Sequence, residues 1–212
     1  MKLVLTGAPG AGKGTQGEII SGRLGIPVIS TGQILRSAIK NGTPVGREAK
    51  GYIDKGELVP DAVILGIVRE RLAADDCKKG YILDGVPRTI VQAEMLEQMG
   101  IQIDAVLCID VRDDVIEQRM TGRRVCPACG ETYHIVSNPS RTEGICDKCG
   151  QPLTIRSDDA PETVRGRLAV YHRQTEPLLA YYQGRKKIIT VDGEKSVAEA
   201  TDEIFKALGI EA

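Results

Sequence analysis

The sequence predicts an α/β fold, a doubly wound parallel sheet interrupted by two insertions. Short β-branched runs alternate with amphipathic stretches, a glycine loop follows the first of those runs, and two segments break the alternation. A chain of 212 residues suits one full-sized domain with small insertions and is too short for two large ones.

Leu3-Val4-Leu5 is the first expected strand, followed by Tyr81-Ile82-Leu83, Ala105-Val106-Leu107-Cys108-Ile109 and Ile188-Ile189-Thr190-Val191. Their near-continuous apolar character is that of parallel strands covered on both faces. Val63, Ile64, Ile67, Val68 and Leu72 recur at helical spacing, as do Val164, Leu168, Tyr171 and Leu178, and finally Val197, Ile204, Phe205 and Leu208. Each stripe reads as a core face. Residues 30–59, helical and rich in Gly and Lys, and residues 122–159, with Pro, Gly and four of the six cysteines, read as the insertions. The core is then 1–29, 60–121 and 160–212, and ligands belong at the carboxyl ends of its strands.

Composition narrows the function. Lys+Arg 28 against Asp+Glu 29 gives a net charge of -1, unlike a nucleic-acid coat or a polybasic membrane anchor. Hydrophobic residues at 42% and charged residues at 27% exclude disorder and collagen. The apolar run before Gly7 is too short for a signal peptide and no later run approaches a membrane span, so the expectation is a cytoplasmic protein with no membrane partner.

Gly7-Ala8-Pro9-Gly10-Ala11-Gly12-Lys13 lies between the first strand and a helix, where backbone N–H groups can wrap phosphates. The glycines permit positive φ and close approach, the helix N-terminus favours anionic oxygens, and Lys13 adds a point charge on the β/γ side. Gly14 stands where a P-loop ordinarily has the Ser/Thr that reaches Mg²⁺, and Thr15 comes one residue later; the metal should lean more on water and phosphate oxygens. Tyr81-Ile82-Leu83-Asp84 ends a strand on a carboxylate. Alone that is a helix cap or turn residue; beside a P-loop, Asp84 can hold a Mg²⁺ water.

Further arginines occur at Arg36, Arg88, Arg119, Arg123, Arg156 and Arg167. The combination of Gly-Ala-Pro-Gly-Ala-Gly-Lys-Gly-Thr-Gln at 7–16, Ser-Thr-Gly at 30–32, Asp84-Gly85-Val86-Pro87-Arg88-Thr89, Gly122-Arg123-Arg124 and Arg156-Ser157-Asp158-Asp159 resembles the adenylate kinase family over essentially the whole chain. The resemblance implies a P-loop NTPase-like core, an AMP-binding domain at 30–59, a mobile lid at 122–159, and transfer of a phosphoryl group from Mg²⁺-bound ATP to AMP giving two ADP. It implies ATP contacts at Gly10, Ala11, Gly12, Lys13, Gly14, Thr15, Arg119, Arg123, Thr132, Tyr133 and Lys195, with Arg119 at a phosphate. For AMP it implies Thr31, Arg36, Glu57, Leu58, Val59, Gly85, Val86, Pro87, Arg88 and Gln92, with Arg156 and Arg167 reaching the phosphates. The catalytic set is Lys13, Asp84, Arg88, Arg123, Arg156 and Arg167, with Asp158 and Asp159 orienting arginines; Arg124 and Arg165 read as surface or structural residues, and the molecule as a monomer. Two positions depart from the family: Val86 stands for the usual Phe and Gln33 for the usual Asp.

The physics agrees with the resemblance on its own terms. Bringing two polyphosphates together concentrates negative charge, so a water-excluding ring of fixed cations is needed, and the planar arginine fork meets phosphate oxygens at two points.

Cys126-Pro127-Ala128-Cys129 and Cys146-Asp147-Lys148-Cys149 give C-x₂-C-x₁₆-C-x₂-C, each pair followed by glycine. Four thiolates at this spacing close a tetrahedron and point to structural Zn²⁺; Fe(II) suits the same donors, and disulfides are disfavoured in the cytosol. Similar cysteines occur in the zinc-bearing lids of some bacterial adenylate kinases. Cys77 and Cys108 read as packing residues, and His134 and His172 as local hydrogen-bonding groups.

Three rivals are weighed. A UMP/CMP-type nucleoside monophosphate kinase keeps the phosphate chemistry and changes the acceptor pocket. A nucleic-acid-binding zinc module is disfavoured by the near-neutral charge, a single Phe and no Trp. A regulatory GTPase lacks an Asn-Lys-x-Asp segment here.

Overall fold

The computed structural model of the chain describes residues 1–210. Its centre is a five-stranded parallel sheet of β1 (Lys2–Thr6), β2 (Val28–Ser30), β3 (Tyr81–Asp84), β4 (Ala105–Asp110) and a last strand, Ile188–Asp192, in the order β2-β3-β1-β4-last. The four expected strands are all present; β2, three residues long, carried too little pattern to be seen in the sequence.

The helices are α1 (Lys13–Leu24), α2 (Thr31–Lys40), α3 (Pro44–Lys55), α4 (Asp61–Leu72), α5 (Ile90–Gln98), α6 (Asp113–Thr121), α7 (Pro161–Val170), α8 (Pro177–Gly184) and α9 (Val197–Leu208). Between α6 and α7, β5 (Arg123–Val125) and β6 (Thr132–His134) form a separate antiparallel pair, so the last core strand is β7. Alternation along each strand divides the core. Val4, Leu83 and Val106 face a cluster built with α2 to α5 and α8, while Leu3, Leu5, Leu107 and Ile109 face one built with α1, α7 and α9.

Two stripes behave differently from the expectation. The stripe from Val164 to Leu178 is broken by a wide π-type turn at Tyr171–Thr175, followed by Pro177, which rotates the face: Val164 and Leu168 join the second cluster and Leu178 the first. Val197, the first residue of α9, is 52% exposed and lies off the core face; its carbonyl accepts a hydrogen bond from Gln16 Nε2 at 3.1 Å. Cys77 and Cys108 are buried as expected, and burial pushes the Cys108 thiol up to about 11.

β1 is followed in the sheet by β4 on one side and β3 on the other, so the chain changes winding direction there. The crevice at that switch point opens at the carboxyl ends of β1 and β3, where Asp84 lies in register with Leu5 and Ser30.

Candidate active site

The loop between β1 and α1 is fixed by its neighbours. Gly7 has φ 133°, and a Cβ on it would stand 2.4 Å from the carbonyl oxygen of Ile109, so only glycine fits against β4. Gly12 caps α1 without a side-chain acceptor, and the first turn carries no acidic residue. The leading N–H groups of α1 are therefore left for an external anion. Lys13 Nζ donates to the carbonyls of Gly7 at 2.9 Å and Ala8 at 2.7 Å. Burial, with Arg88, Arg167 and Arg123 adding to it and Asp84 opposing, pushes the Lys13 amine down to about 8. Gly14 and Thr15 are exposed at the mouth of the loop, and Ala11 is buried beneath it.

Across the crevice, a short helical turn at Ser157–Asp159 presents two buried carboxylates. Asp159 pairs at two points with Arg123, whose Nε donates at 2.8 Å. Asp158 pairs at two points with Arg156, at 2.8 and 2.6 Å. Arg167 Nη1 bridges both, donating to the Asp158 carbonyl at 2.7 Å and lying 2.9 Å from Asp158 Oδ2 and 3.4 Å from Asp159 Oδ1. Burial alone would raise the Asp158 carboxyl; Arg167, Arg156 and Arg36 outweigh it and hold it down at about 2. Burial pushes Arg36 and Arg167 down to about 10, and neighbouring arginines add to the effect.

The six cations Lys13, Arg36, Arg88, Arg123, Arg156 and Arg167 interact mainly with the three carboxylates Asp84, Asp158 and Asp159, which leaves three cations in excess. Such a cluster is short of negative charge in a crevice whose walls already desolvate it. An anionic ligand would supply what it lacks.

The other wall follows β3. Ser30 Oγ donates to Asp84 Oδ2 at 3.0 Å, and Thr31 Oγ1 donates to the Gly85 carbonyl at 3.1 Å. Gly85 has φ 81°, and a Cβ there would come within 2.8 Å of Thr31 Oγ1 and 3.0 Å of Arg88 Nη2. The Val86–Pro87 peptide is cis, Val86 is fully buried in the core, and Arg88 Nε folds back to the Gly85 carbonyl at 3.0 Å. Gln92, 1% exposed, accepts from Arg88 N–H at 2.7 Å and donates from Nε2 to Asp61 Oδ1 at 2.7 Å. Glu57, Leu58 and Val59 form the link between α3 and α4, with Val59 buried. A cavity of about 240 Å³ lies between Arg36, Ile39 and Ile53 on one side and Arg156 and Asp158 on the other.

Two residues expected at ATP have partners within the protein. Arg119 Nη2 donates to the Gly193 carbonyl at 2.8 Å, which ties it to the loop after β7. The ring of Tyr133 is 7% exposed and turned inward: its hydroxyl accepts the Asp147 N–H at 2.8 Å and lies 3.6 Å from Cys146 Sγ. Thr132 is exposed on β6, and Lys195 is paired with Glu203. Arg124 bonds to the Thr121 and Arg123 carbonyls, and exposed Arg165 lies 3.5 Å from Glu117. His172 bonds to Asp113 and Glu176, and His134 Nδ1 accepts two backbone N–H groups.

Cys126, Cys129, Cys146 and Cys149 bring four Sγ atoms within 4.8 Å of one another. Recorded separations of 3.4, 3.5 and 3.6 Å are near the ~3.8 Å edge of a tetrahedron with Zn–S bonds of about 2.3 Å. Backbone N–H groups of Ala128 and Cys129 donate to Cys126, and those of Lys148 and Cys149 to Cys146. Donors aimed at sulfur favour thiolate, the form a metal takes, so the donor set fits Zn²⁺. The apolar core of this segment is small: Cys126, Tyr133 and Cys146, with Leu153 against it.

Sequence reasoning missed Ser30 behind Asp84, Asp61 behind Gln92, and Lys40, whose Nζ donates to the Pro127 carbonyl at 3.1 Å and joins α2 to the first cysteine turn. A Ser, an Asp at a helix start and a Lys at a helix end are too common to signal such contacts.

Comparison with known proteins is consistent along the chain. The family model for adenylate kinase matches residues 5–187. An adenylate kinase of Caldicellulosiruptor saccharolyticus is 54% identical over 215 residues, covering 100% of both chains. Those of Ruminiclostridium cellulolyticum and Acetivibrio thermocellus are 54% and 53% identical, covering 99% and 98% of this chain and 100% and 98% of their own.

Proposed function

The chain belongs to the adenylate kinase family, and from that premise we propose that the crevice between the glycine loop and Asp158-Asp159 is where ATP passes its terminal phosphoryl group to AMP. The class of reaction is that of a nucleoside monophosphate kinase, with ATP, AMP and ADP as substrates. The observation that carries the assignment of the site is the excess of cations around Asp158 and Asp159, at the mouth of a helix N-terminus left open to anions.

In this reading the ATP β- and γ-phosphates lie on the N–H groups of Gly10 to Thr15, and Lys13 leaves its loop carbonyls for their oxygens. Arg36 and Arg88 hold the AMP phosphate, and Arg123, Arg156 and Arg167 span the gap. An AMP phosphate oxygen attacks the γ-phosphorus; the new P–O bond forms as the bond to the β,γ-bridging oxygen breaks, and the bridging oxygen leaves with the ADP. No covalent enzyme intermediate is required. The chain positions the two ends in line and meets the spreading charge with fixed cations. Asp158 and Asp159 keep the guanidinium planes aimed before substrate arrives, so little reorganisation is left for the reaction itself.

Adenylate kinases use magnesium-bound ATP. Asp84, with Ser30 holding one oxygen, would bind the waters of that ion, which neutralises charge on the β- and γ-oxygens when bound. Residues 30–59 act as the AMP domain and 122–159 as a lid whose four cysteines hold Zn²⁺ structurally, with no open coordination position. We take the protein to act as a cytoplasmic monomer; among the described residues no helix is long and apolar enough to cross a membrane.

Initial rates of ADP formation from ATP and Mg²⁺ with AMP, UMP, CMP or GMP test the assignment, with Arg88→Ala as control. A marked AMP preference that vanishes in the control is the expected result. Preference for UMP or CMP would overturn the acceptor, and unchanged rates in Arg88→Ala would overturn the site.

A further inference from the structure

Gln92 is buried, and its amide is held from both ends by groups of unequivocal polarity. Its Oε1 faces the Arg88 N–H at 2.7 Å, a group that can only donate. Its Nε2 faces Asp61 Oδ1 at 2.7 Å, and a carboxylate oxygen can only accept. Turning the amide over would set oxygen against oxygen at one end and N–H against N–H at the other. Both contacts would become repulsive around an amide that is itself almost wholly buried. One N–H and one lone pair of the amide are not used by these two contacts, and their order is thereby fixed.

Asp61 is placed for this by the fold rather than by Gln92's own helix. It is the first residue of α4, held where the chain returns from the 30–59 insertion, while Gln92 lies in the first turn of α5, set by the Thr89 cap at 3.1 Å. Arg88 N–H alone would bias the amide; Asp61 doubles the penalty for the wrong orientation.

We propose that Asp61 is a positioning residue for acceptor specificity, fixing the orientation in which Gln92 offers its donor and acceptor to the base. This rests on the reading that Gln92 faces the acceptor base. Adenine presents a ring acceptor beside an exocyclic N–H donor. Hypoxanthine presents a ring N–H donor beside a carbonyl acceptor, the same edge with its polarity reversed. An amide locked one way accepts the first and meets like with like in the second; an amide free to turn accepts both.

The test compares kcat/KM for AMP and IMP, with ATP saturating, in the wild type, Asp61→Asn and Gln92→Ala, with the melting temperature and the KM for ATP recorded for each. Asn at 61 can turn its own amide to donate, so it removes Asp61's share of the penalty on a turned Gln92, leaving only that of the Arg88 N–H, while keeping size and shape. The expected result is an AMP/IMP ratio about tenfold lower in Asp61→Asn, carried by the acceptor KM, with the KM for ATP unchanged. A ratio that collapses in Gln92→Ala and stays at the wild-type value in Asp61→Asn would overturn the role of Asp61. A ratio unchanged in Gln92→Ala would overturn the reading of Gln92 and the proposal with it. Equal losses for both acceptors and for ATP in Asp61→Asn would make Asp61 a structural residue only, and also overturn it.

Discussion

Asp159 and Arg123 meet at two points, Nε to Oδ2 at 2.8 Å and Nη2 to Oδ1, with the carboxylate at 0% exposure. A buried carboxylate so placed leaves the arginine one orientation. Asp159→Asn should lower the melting temperature by about 5 °C, since a buried arginine loses its counter-charge. It should also lower kcat at least tenfold with the metal retained. Calorimetry, metal analysis and steady-state rates check this; a kcat within twofold of the wild type would mean that Arg123 is not oriented through Asp159.

Lys13 gives a pH dependence of stated sign. Its amine, pushed down to about 8 by burial and neighbouring arginines, is neutral above that pH in the free protein. An unfolded lysine keeps its proton to about 10.5, so the ligand-free protein gains stability as pH rises from about 8 toward 10.5. A phosphate bound as proposed would reverse the preference by holding the proton on Lys13. The kcat/KM for ATP should therefore fall as pH rises through about 8, while kcat holds to higher pH. Lys13→Arg, charged throughout, should lack that fall in kcat/KM.

Asp158 gives the opposite limb. Its carboxyl is held at about 2 by Arg167, Arg156 and Arg36 against the burial that would raise it. A depressed carboxylate stabilises the fold above the unfolded value of about 3.9 and loses that contribution as pH falls toward 2. Melting curves of the wild type and Asp158→Asn should differ most above pH 4 and converge as pH falls to about 2. Parallel curves over that range would remove Asp158 as the titrating group.

The cysteine segment should depend on metal for its fold. Among its described residues the buried cluster is small, so Cys126→Ser or a strong chelator should cost roughly 10 °C of melting temperature and loosen 122–159 toward proteolysis, with the parallel sheet intact. Loss of zinc with an unchanged melting temperature would contradict a structural role.

At Gly85 the backbone has φ 81°, and an added Cβ would meet Thr31 Oγ1 and Arg88 Nη2. Gly85→Ala should raise the KM for AMP at least tenfold and change the KM for ATP little. Equal changes in both would separate this turn from the acceptor side.

Much of this was legible in the sequence because it is periodic or spaced. Buried strands such as Ala105–Ile109 announce themselves as apolar runs, and the glycine loop and the two C-x₂-C pairs carry geometry in their spacing. The three-residue β2 offered no period to read, and the π-type turn at 171–175 shifted a stripe that looked continuous. The partners of the Tyr133 hydroxyl, the Asp147 N–H and Cys146 Sγ, are set by tertiary packing that no spacing announces. Arg119 likewise bonds across 74 positions to Gly193, and no local signal encodes such a partner.

In the proposed function the cations around Asp158 and Asp159 surround the transferring phosphoryl group. A crystal structure with two adenosines joined by a five-phosphate chain tests it most directly. Phosphate oxygens are expected within hydrogen-bond distance of Lys13, Arg88, Arg123, Arg156 and Arg167, with Lys13 released from the Gly7 and Ala8 carbonyls. A phosphate chain lying elsewhere, with Lys13 still on those carbonyls, would contradict it.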